Sequence, residues 1–424
     1  MTPRERLFAL EQFGIKLGLA NITALVETLN RPDQAFPSVL IGGTNGKGSV
    51  VAMVERGLRA AGHRTGRYTS PHLTDIEERI AIAGVPVAPE VFDEITTDVL
   101  AVVDGLIETG VLRHPPTFFE ATTAIAFEAF RRAEVSAAVV EVGLGGRYDA
   151  TNVITPAISA ITSIAFDHER HLGTSLADIA SEKAGIIKTG VPVVAGMMPD
   201  EAGEVIERTA RLAGTHPIWA RASDVGRPVD LALNGAHQRQ NAAVAVEILR
   251  LCGGLGRTIS DAHILDALTD VEWPARLEWL RIPAGGDVLL DAAHNPSGAQ
   301  ALCDYVLSTV GPLPLVCAVM ADKDVTAIVR ALSPAVSRFV ATTAPSPRAL
   351  DAAALAEQIR SALPGALVDC YDDPIEGVRH LLSSAPRVVV AGSIFLVGPV
   401  RRALLGQGAA TVRYSSNASR FFLN

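Results

Sequence analysis

Residues 38–60 read "SVLIGGTNGKGSVVAMVERGLRA": a short β-branched run, a turn carrying Gly42, Gly43, Gly46 and Gly48, then a helical spacing of apolar residues. A chain that passes from strand to helix in so few residues is committed to a crossover, with the helix packing back over the sheet before the next parallel strand. The same turn has a chemical consequence. The first N–H groups of a helix have no partner within it, and the dipole leaves positive character at that end. A glycine-rich strand-to-helix turn is therefore shaped for a phosphate. Lys47 adds a full positive charge there, and Ser49 a hydroxyl for phosphate or Mg²⁺. The strict G-x-x-x-x-G-K-[ST] spacing is not met: Ile41 occupies the first glycine position, and Gly48 separates Lys47 from Ser49. A tight turn needing positive φ at several glycines is the plainer alternative, and this loop alone leaves it open.

The alternation continues along the chain. "EATTAIAFEAFRRAE" precedes "SAAVVEVG", and "PAISAITSI" and "GVPVVAG" follow, the pattern of a mostly parallel sheet with helices on both faces. "NGAHQRQNAAVAVEILRLCGG" is a helix by its apolar spacing and closing glycines. After "DVEWPARLEWL" a second strand–helix series begins, with "GDVLLDAAHNPSGAQALCDYVL", "LPLVCAVM", "SRFVATTA" and "RVVVAGS". The chain has 424 residues, more than one hydrophobic core comfortably holds. The expectation is an α/β protein with a phosphate-loop-containing, mostly parallel sheet domain over 1–273 and a smaller Rossmann-like α/β domain over 274–424. The polar tail beyond about residue 410 is expected to be loosely held.

Charge and cysteine content narrow the function classes. The formal net charge is −9 with no basic block, which argues against nucleic acid and requires any anionic substrate to be met by a local positive site. Cys252, Cys303, Cys317 and Cys370 have no CxxC spacing and read as buried small apolar residues in a reducing compartment. The N-terminus "MTPRERLFALEQFG" is charged where a signal peptide needs an apolar core, and no apolar run approaches the ~20 residues of a membrane span. A cytoplasmic protein without a membrane partner is expected.

Three further stretches carry candidate chemistry. In "EVGLGGRYDATN", Glu141 closes a strand at the carboxyl edge where open α/β sheets bind ligands, a placement suited to holding Mg²⁺ against nucleotide phosphates. The glycines that follow do not complete a dinucleotide fingerprint, because Tyr148 stands where Gly or Ala is needed. In "ITSIAFDHERHLG", His168 and His171 are too close for the HExxH zinc motif. His168 lies just past a strand, at the ligand edge, and reads equally as a functional or a surface histidine. Lys183, in "IASEKAGIIKTG", reads by itself as part of a solvated helix face beside Glu182.

Taken together these stretches closely resemble the folylpolyglutamate synthase and dihydrofolate synthase family, within the wider group of muramyl ligases. The resemblance runs from "GIKLGL" at residue 14 to "AGSIFLVGPVR" ending at residue 401, and its most specific pieces are, in order, "GTNGKGS", "YTSPHL", "ERI", "EVGLGGRYDATN", "DHERHLG", "EKAGIIK", "HQRQNAA", "ARLE" and "DAAHNP". The resemblance implies that Gly43, Thr44, Asn45, Gly46, Lys47, Gly48 and Ser49 wrap the ATP phosphates, with Lys47 on the β and γ groups. It implies Ser70 and Glu141 on a first Mg²⁺, His168 on a second, and Lys183 carried as a carbamate that interacts with the second metal. Asn241 and Arg276 would contact the nucleotide from either side of the domain boundary, and Asp291 and His294 would approach it from the C-terminal domain. A turn built on Asn295-Pro296 is the plainer account of the last two. The sequence departs from the family's usual pattern at Ala20-Asn21, where many members carry Glu-Arg, and at Glu77, where Asn is frequent.

The implied activity is an ATP- and Mg²⁺-dependent ligase joining L-glutamate to dihydropteroate, to reduced folyl-glutamates, or to both. It would act as a monomer, with catalysis resting on Lys47, Lys183 and His168. A muramyl ligase acting on a UDP-linked sugar is the nearest alternative, disfavoured by "KLGL" and "TSPHL" and by the early phosphate loop. A nucleotide switch or transport ATPase would be expected to keep the strict loop spacing. A nicotinamide oxidoreductase would need the missing glycine fingerprint.

Overall fold

The computed structural model describes residues 1–412 apart from Ile15, Leu17, Arg227, Pro228 and Ala284. It divides into two compact units. The first comprises Met1–Ala165, Glu169–Ala232 and Gln238–Glu272; the second comprises Phe166–His168, Leu233–His237 and the chain from Trp273 onward. The long division falls between Glu272 and Trp273, and two short segments ahead of it group with the second unit.

The first unit holds an eight-stranded sheet of β1 (Ser38–Gly42), β2 (Thr65–Tyr68), β3 (Ile80–Ile82), β4 (Val85–Pro86), β5 (Ala137–Glu141), β6 (Ile158–Ile161), β7 (Val193–Gly196) and β8 (Pro217–Ala220). The order is β4-β3-β2-β5-β1-β6-β7-β8. From β2 to β8 every neighbour is parallel, and only the β2–β3 and β3–β4 pairings at one edge are antiparallel. Every residue of β1 and β5 is buried, which is why "SVLIG" and "AAVV", ahead of the closing Glu141, are continuous small or apolar runs instead of alternating ones. The chain leaves β1 toward β2 and β5 on one side and later continues to β6 on the other. The order therefore reverses at β1, and the crevice beyond its carboxyl end is the expected ligand position. The phosphate turn lies there, followed by helix Lys47–Ala60. Helix Phe118–Arg132 begins at a capping box between Thr117 and Glu120 and is buried along nearly its whole length. Gly66 leaves room for the Phe130 ring, which a Cβ there would meet at 2.7 Å.

The second unit holds β9 (Glu278–Arg281), β10 (Asp287–Leu290), β11 (Leu313–Cys317), β12 (Val336–Ala341), β13 (Val368–Cys370), β14 (Arg387–Ala391) and β15 (Ala410–Val412), in the order β13-β12-β11-β14-β10-β9-β15. Five strands are parallel, and β9 is antiparallel to both of its neighbours. Its core includes the fully buried Trp279, whose Nε1 donates to the Tyr305 hydroxyl at 2.9 Å. Both units are therefore mixed, mostly parallel sheets flanked by helices, as the alternation of runs predicts.

Two expectations are corrected. Cys252, Cys303 and Cys317 are buried, and burial pushes the Cys252 and Cys317 thiols up to about 12. Cys370 is exposed, because it closes β13 at the sheet edge. The start of the tail is also not loose: Ala410–Val412 pairs with β9. The rest of that expectation, over 413–424, lies outside the described residues, as do Ile15 and Leu17 of "GIKLGL". Among the described residues no helix is long and apolar enough to cross a membrane.

The "YTSPHL" segment is fixed by a buried cation. Arg79 lies over the Phe118 ring at 5.1 Å and donates from Nε to Nδ1 of His72 at 2.9 Å. His72 must be neutral to accept that bond. Burial and then the Arg79 charge lower its pKa to about 4. The unfolded chain, with its histidine near 6.5, binds the extra proton first, so stability is complete above pH ~6.5 and is lost as pH falls toward 4. Chemical denaturation at pH 7 and pH 5 should show His72→Gln losing about 1–2 kcal/mol less than the parent chain over that interval. Equal losses in the two proteins would remove His72 from the acid response.

Candidate active site

The phosphate turn is shaped by contacts that leave no room for side chains. Gly43 has φ 136°, and a Cβ there would stand 2.0 Å from Thr162 Oγ1. Gly46, with φ 86°, would place a Cβ 2.2 Å from Asn241 Oδ1. These two glycines are thus required both by backbone conformation and by close approach. The turn is tied to the end of β6. Thr44 N donates to Ser163 O at 2.7 Å, Asn45 N to Ser163 Oγ at 3.1 Å, and Thr162 Oγ1 to Asn45 O at 2.6 Å. The Thr44 hydroxyl donates to Ala165 O at 3.2 Å. The amides of Thr44 and Asn45, expected to wrap phosphate, are therefore engaged in holding the turn. The helix-start amides of Gly46 to Ser49 are those for which the helix itself provides no partner.

Two lysines converge on one oxygen of this turn. Lys47 Nζ donates to Gly43 O and Thr44 O, each at 3.2 Å, and Lys183 Nζ donates to Gly43 O at 3.0 Å. Lys183 is only 5% exposed, so it is not on the solvated helix face that its immediate neighbours suggest. Its helix, Leu176–Ala184, ends against the turn that follows Glu141. Glu141 and Ser70 also meet: Ser70 N donates to Glu141 Oε2 at 3.2 Å, across the carboxyl ends of the paired strands β5 and β2. A buried carboxylate beside a serine is an oxygen-only set suited to Mg²⁺. Among the described residues no group of three or more His, Cys, Asp or Glu side chains could hold a metal ion. A metal here would complete its shell with oxygens from nucleotide and water.

Ser49 is reached by a residue that the sequence did not single out. Gln238, fully buried, donates from Nε2 to Ser49 Oγ at 3.3 Å and accepts at Oε1 from Asn241 Nδ2 at 2.9 Å. Ser49, Gln238, Asn241 and Gly46 thus form one connected set around the start of helix Lys47–Ala60.

In the second unit His168 has φ 52°, and its backbone N–H donates to Asp167 Oδ1 at 2.9 Å. Asp167 gathers positive and polar groups: Lys323 Nζ at 2.5 Å, Asn295 Nδ2 at 3.1 Å and His294 Nε2 at 3.5 Å. Burial pushes its pKa up. The His294 hydrogen bond and the charges of His168, His294 and Lys323 outweigh this and hold the carboxyl far below its usual range. Asp291 is buried, accepting from Leu277 N and Ala293 N, each at 2.9 Å, and so shapes the turn that presents His294. Asn295 caps helix Pro296–Thr309, with its Oδ1 accepting from Gly298 N at 2.8 Å. The turn reading of "DAAHNP" and its placement of His294 beside Asp167 therefore hold together. Arg276 lies between Ala275 and Leu277, both at positive φ, and donates to Ala275 O at 3.3 Å. Asp167 and Lys323 are additions to the residues expected from sequence. Asp167 could have been suspected from its place beside His168, whereas Lys323 is 156 residues away from its partner and has no local signal.

The two positions that depart from the family pattern are both occupied within the first unit. Glu77 is ion-paired with Arg4, and Asn21 Nδ2 donates to Glu120 Oε2 at 3.4 Å.

Comparison with known proteins fits this geometry. Residues 275–394 match the family model described as Mur ligase, glutamate ligase domain. The chain is 35% identical to the dihydrofolate synthase/folylpolyglutamate synthase of Mycobacterium tuberculosis, over 90% of this chain and 89% of that one. A solved structure of the M. tuberculosis folylpolyglutamate synthase complexed with ADP superposes with TM-score 0.87 at 32% identity, covering 95% of this chain and 98% of that one. A bifunctional folylpolyglutamate synthase/dihydrofolate synthase solved with Mn, AMPPNP and L-glutamate bound gives 0.81 at 28% identity, covering 96% and 98%. With a match of this extent, the chain belongs to the folylpolyglutamate synthase/dihydrofolate synthase family of the Mur ligases.

Proposed function

We propose that the protein is an ATP-dependent ligase, requiring a divalent metal, that forms an amide between L-glutamate and the carboxylate of dihydropteroate, of reduced folyl-glutamates, or of both. The observation that carries this reading is Lys47 at the N-terminus of helix Lys47–Ala60, its Nζ held on Gly43 O and Thr44 O, a local positive site in a chain of net charge −9. The related proteins support it, being named for these two activities and solved with nucleotide, metal and L-glutamate.

Amide formation from a carboxylate is uphill in water, and a carboxylate oxygen leaves poorly. Transfer of the γ-phosphoryl group solves both problems. A carboxyl oxygen attacks phosphorus, the bond to ADP breaks, and an acyl phosphate forms. The glutamate amine then attacks the acyl carbon, orthophosphate departs with that oxygen, and the amine proton passes to solvent. Two anions must meet in the first step, with a repulsion of roughly 4 kcal/mol per pair of unit charges at 4 Å and an effective dielectric near 20. In this reading Lys47 and the amides of Gly46 to Ser49 bind the phosphates and offset that repulsion, with Gly43, Thr44 and Asn45 setting the turn. Ser70 and Glu141 would hold one Mg²⁺, and His168 a second. When bound, the metals neutralise phosphate charge. Asn241, Arg276 and His294 contact the nucleotide, and Asp291 presents His294.

Lys183 acts in this reading as a carbamate. Two ammonium groups bonded to one oxygen at 3.2 and 3.0 Å are at most about 6 Å apart and repel by about 3 kcal/mol at the same dielectric. Carbamylation turns that repulsion into attraction. The protein acts as a monomer in the cytoplasm.

Lys47→Ala should lower ATP-dependent glutamate incorporation by about a thousandfold with an unchanged far-ultraviolet spectrum. Near-normal turnover would sink the phosphate-loop assignment. Glu141→Gln should raise the Mg²⁺ needed for half-maximal rate by about 10–100-fold, and an unshifted titration would remove Glu141 from the metal. The reaction itself is tested with ¹⁸O-labelled carboxyl substrate, whose label should pass into released orthophosphate. Phosphate release that is independent of glutamate and unlabelled would favour a nucleotide switch instead.

A further inference from the structure

Of the stretch "EVGLGGRYDATN", the reaction uses only Glu141. We infer that the turn 143–152 is a positioning device for Lys183, with Asn152 as its central residue. This rests on the reading that Lys183 works at the phosphate turn.

The last carbonyls of a helix lack partners within it. At the end of helix Leu176–Ala184 the turn supplies them. Arg147 N donates to Glu182 O at 2.8 Å, Arg147 Nη2 to Ser181 O at 3.1 Å, and Asn152 Nδ2 to Gly185 O at 3.1 Å. The second hydrogen of the same amide goes back to the turn, to Arg147 O at 2.9 Å. One buried side chain therefore joins helix end and turn, and the backbone carbonyl of Asn152 accepts from Lys188 Nζ at 3.0 Å beyond the helix. Lys183 is gripped on both sides in sequence, at 181 and 182 before it and at 185 and 188 after it.

The surfaces meet without slack. A Cβ on Gly185 would lie 2.4 Å from Arg147 Cα, and one on Gly146 would lie 2.8 Å from the carbonyl oxygens of Glu182 and Lys183. Asn152 Oδ1 is buried with no hydrogen-bond partner among the described residues. The amide is thus oriented by the two carbonyls it serves, since reversing it would set oxygen against oxygen. Asp at this position has no N–H to give and would bring a negative charge to both carbonyls. Ala would leave both buried without a donor. Lys183 Nζ reaches Gly43 O at 3.0 Å, and a displacement of its helix by about 1 Å takes that contact out of hydrogen-bond range.

The test compares Asn152→Ala, Asn152→Asp and Arg147→Ala with the parent protein and Lys183→Gln. Arg147 is exposed, so its truncation keeps the question answerable should the Asn152 variants fail to fold. Steady-state kinetics give kcat and the KM for ATP, melting curves give stability, and ¹³C NMR after exposure to ¹³C-bicarbonate reads carbamate on Lys183. Asn152→Ala should lower kcat about 10–100-fold with the KM for ATP within about threefold, and weaken the carbamate signal. Asn152→Asp should be worse, and Arg147→Ala should show a smaller loss of kcat at an unchanged melting temperature. Folded variants with parental kcat and carbamate signal would overturn the inference. So would kcat, KM for ATP and melting temperature all moving together, which marks a merely structural role. If the parent protein shows no carbamate signal and Lys183→Gln turns over normally, it is the Lys183 reading that fails. A signal present in the parent and undiminished in the variants sinks the positioning role alone.

Discussion

The carbonyl oxygen of Gly43 is the point on which the first unit depends. Lys47 and Lys183, 136 positions apart in the chain, both donate to it. That arrangement needs a residue without a side chain, because Thr162 Oγ1 fills the space a Cβ would take. It needs β6 beside β1, because Thr162 and Ser163 hold the turn from the end of that strand. It also needs a helix running back toward the turn to deliver Lys183. A parallel sheet whose order reverses at β1 meets all three demands at once, because every carboxyl end in the centre of the sheet opens on the same edge.

The second unit treats charge in the opposite sense. There a single carboxylate, Asp167, is nearly enclosed and kept ionised by Lys323, His294 and His168, with Asn295 completing its hydrogen bonds. A buried carboxylate stripped of such partners would take up a proton and cease to orient anything. Each group thus has a reason to be where it is: Asn295 also caps its helix, and His294 is presented by a turn that Asp291 shapes. An acidic protein with ordinary composition can therefore present cationic groups locally, since those groups are collected by backbone carbonyls in one unit and by one carboxylate in the other.

What could be read from sequence follows the range of the physical cause. Periodicity is local, and the strands from "SVLIG", "AAVVE", "ISAI" and "VVAG" to "DVLL", "LPLVC" and "RVVVA" are all strands in the structure. Lys47 and Glu141 were legible because a strand's carboxyl end defines their position. Lys183 was not, since its local neighbours describe a solvated helix and only the resemblance gave it a role. Gln238 meets Ser49 across 189 residues and Lys323 meets Asp167 across 156, and no pattern within a helix or strand encodes such a meeting. Cys370 shows the converse failure: its type favours burial, but its strand lies at the edge of the sheet. The engagement of the Thr44 and Asn45 amides with Ser163 was hidden for a related reason, because a glycine-rich turn announces available donors without saying which of them a neighbouring strand will take.

The departures from the family pattern are intelligible by the same reasoning. A neutral Asn at position 77 would need no counter-charge, whereas a buried Glu does. Arg4 supplies it, and is itself fixed by Asp93 at 2.6 Å and by the Phe92 ring at 5.5 Å. The first helix, Pro3–Ala9, is capped by Thr2 and Glu5 and thereby holds Arg4 in place. Glu77 and Arg4 are best regarded as one charge-balanced pair spread over two elements. Asn21 is similarly engaged with Glu120, whose carboxylate also closes the capping box of helix Phe118–Arg132. The Glu77 charge is thus balanced by Arg4 inside the first unit and makes no demand on the positive character of Lys47 at its helix N-terminus.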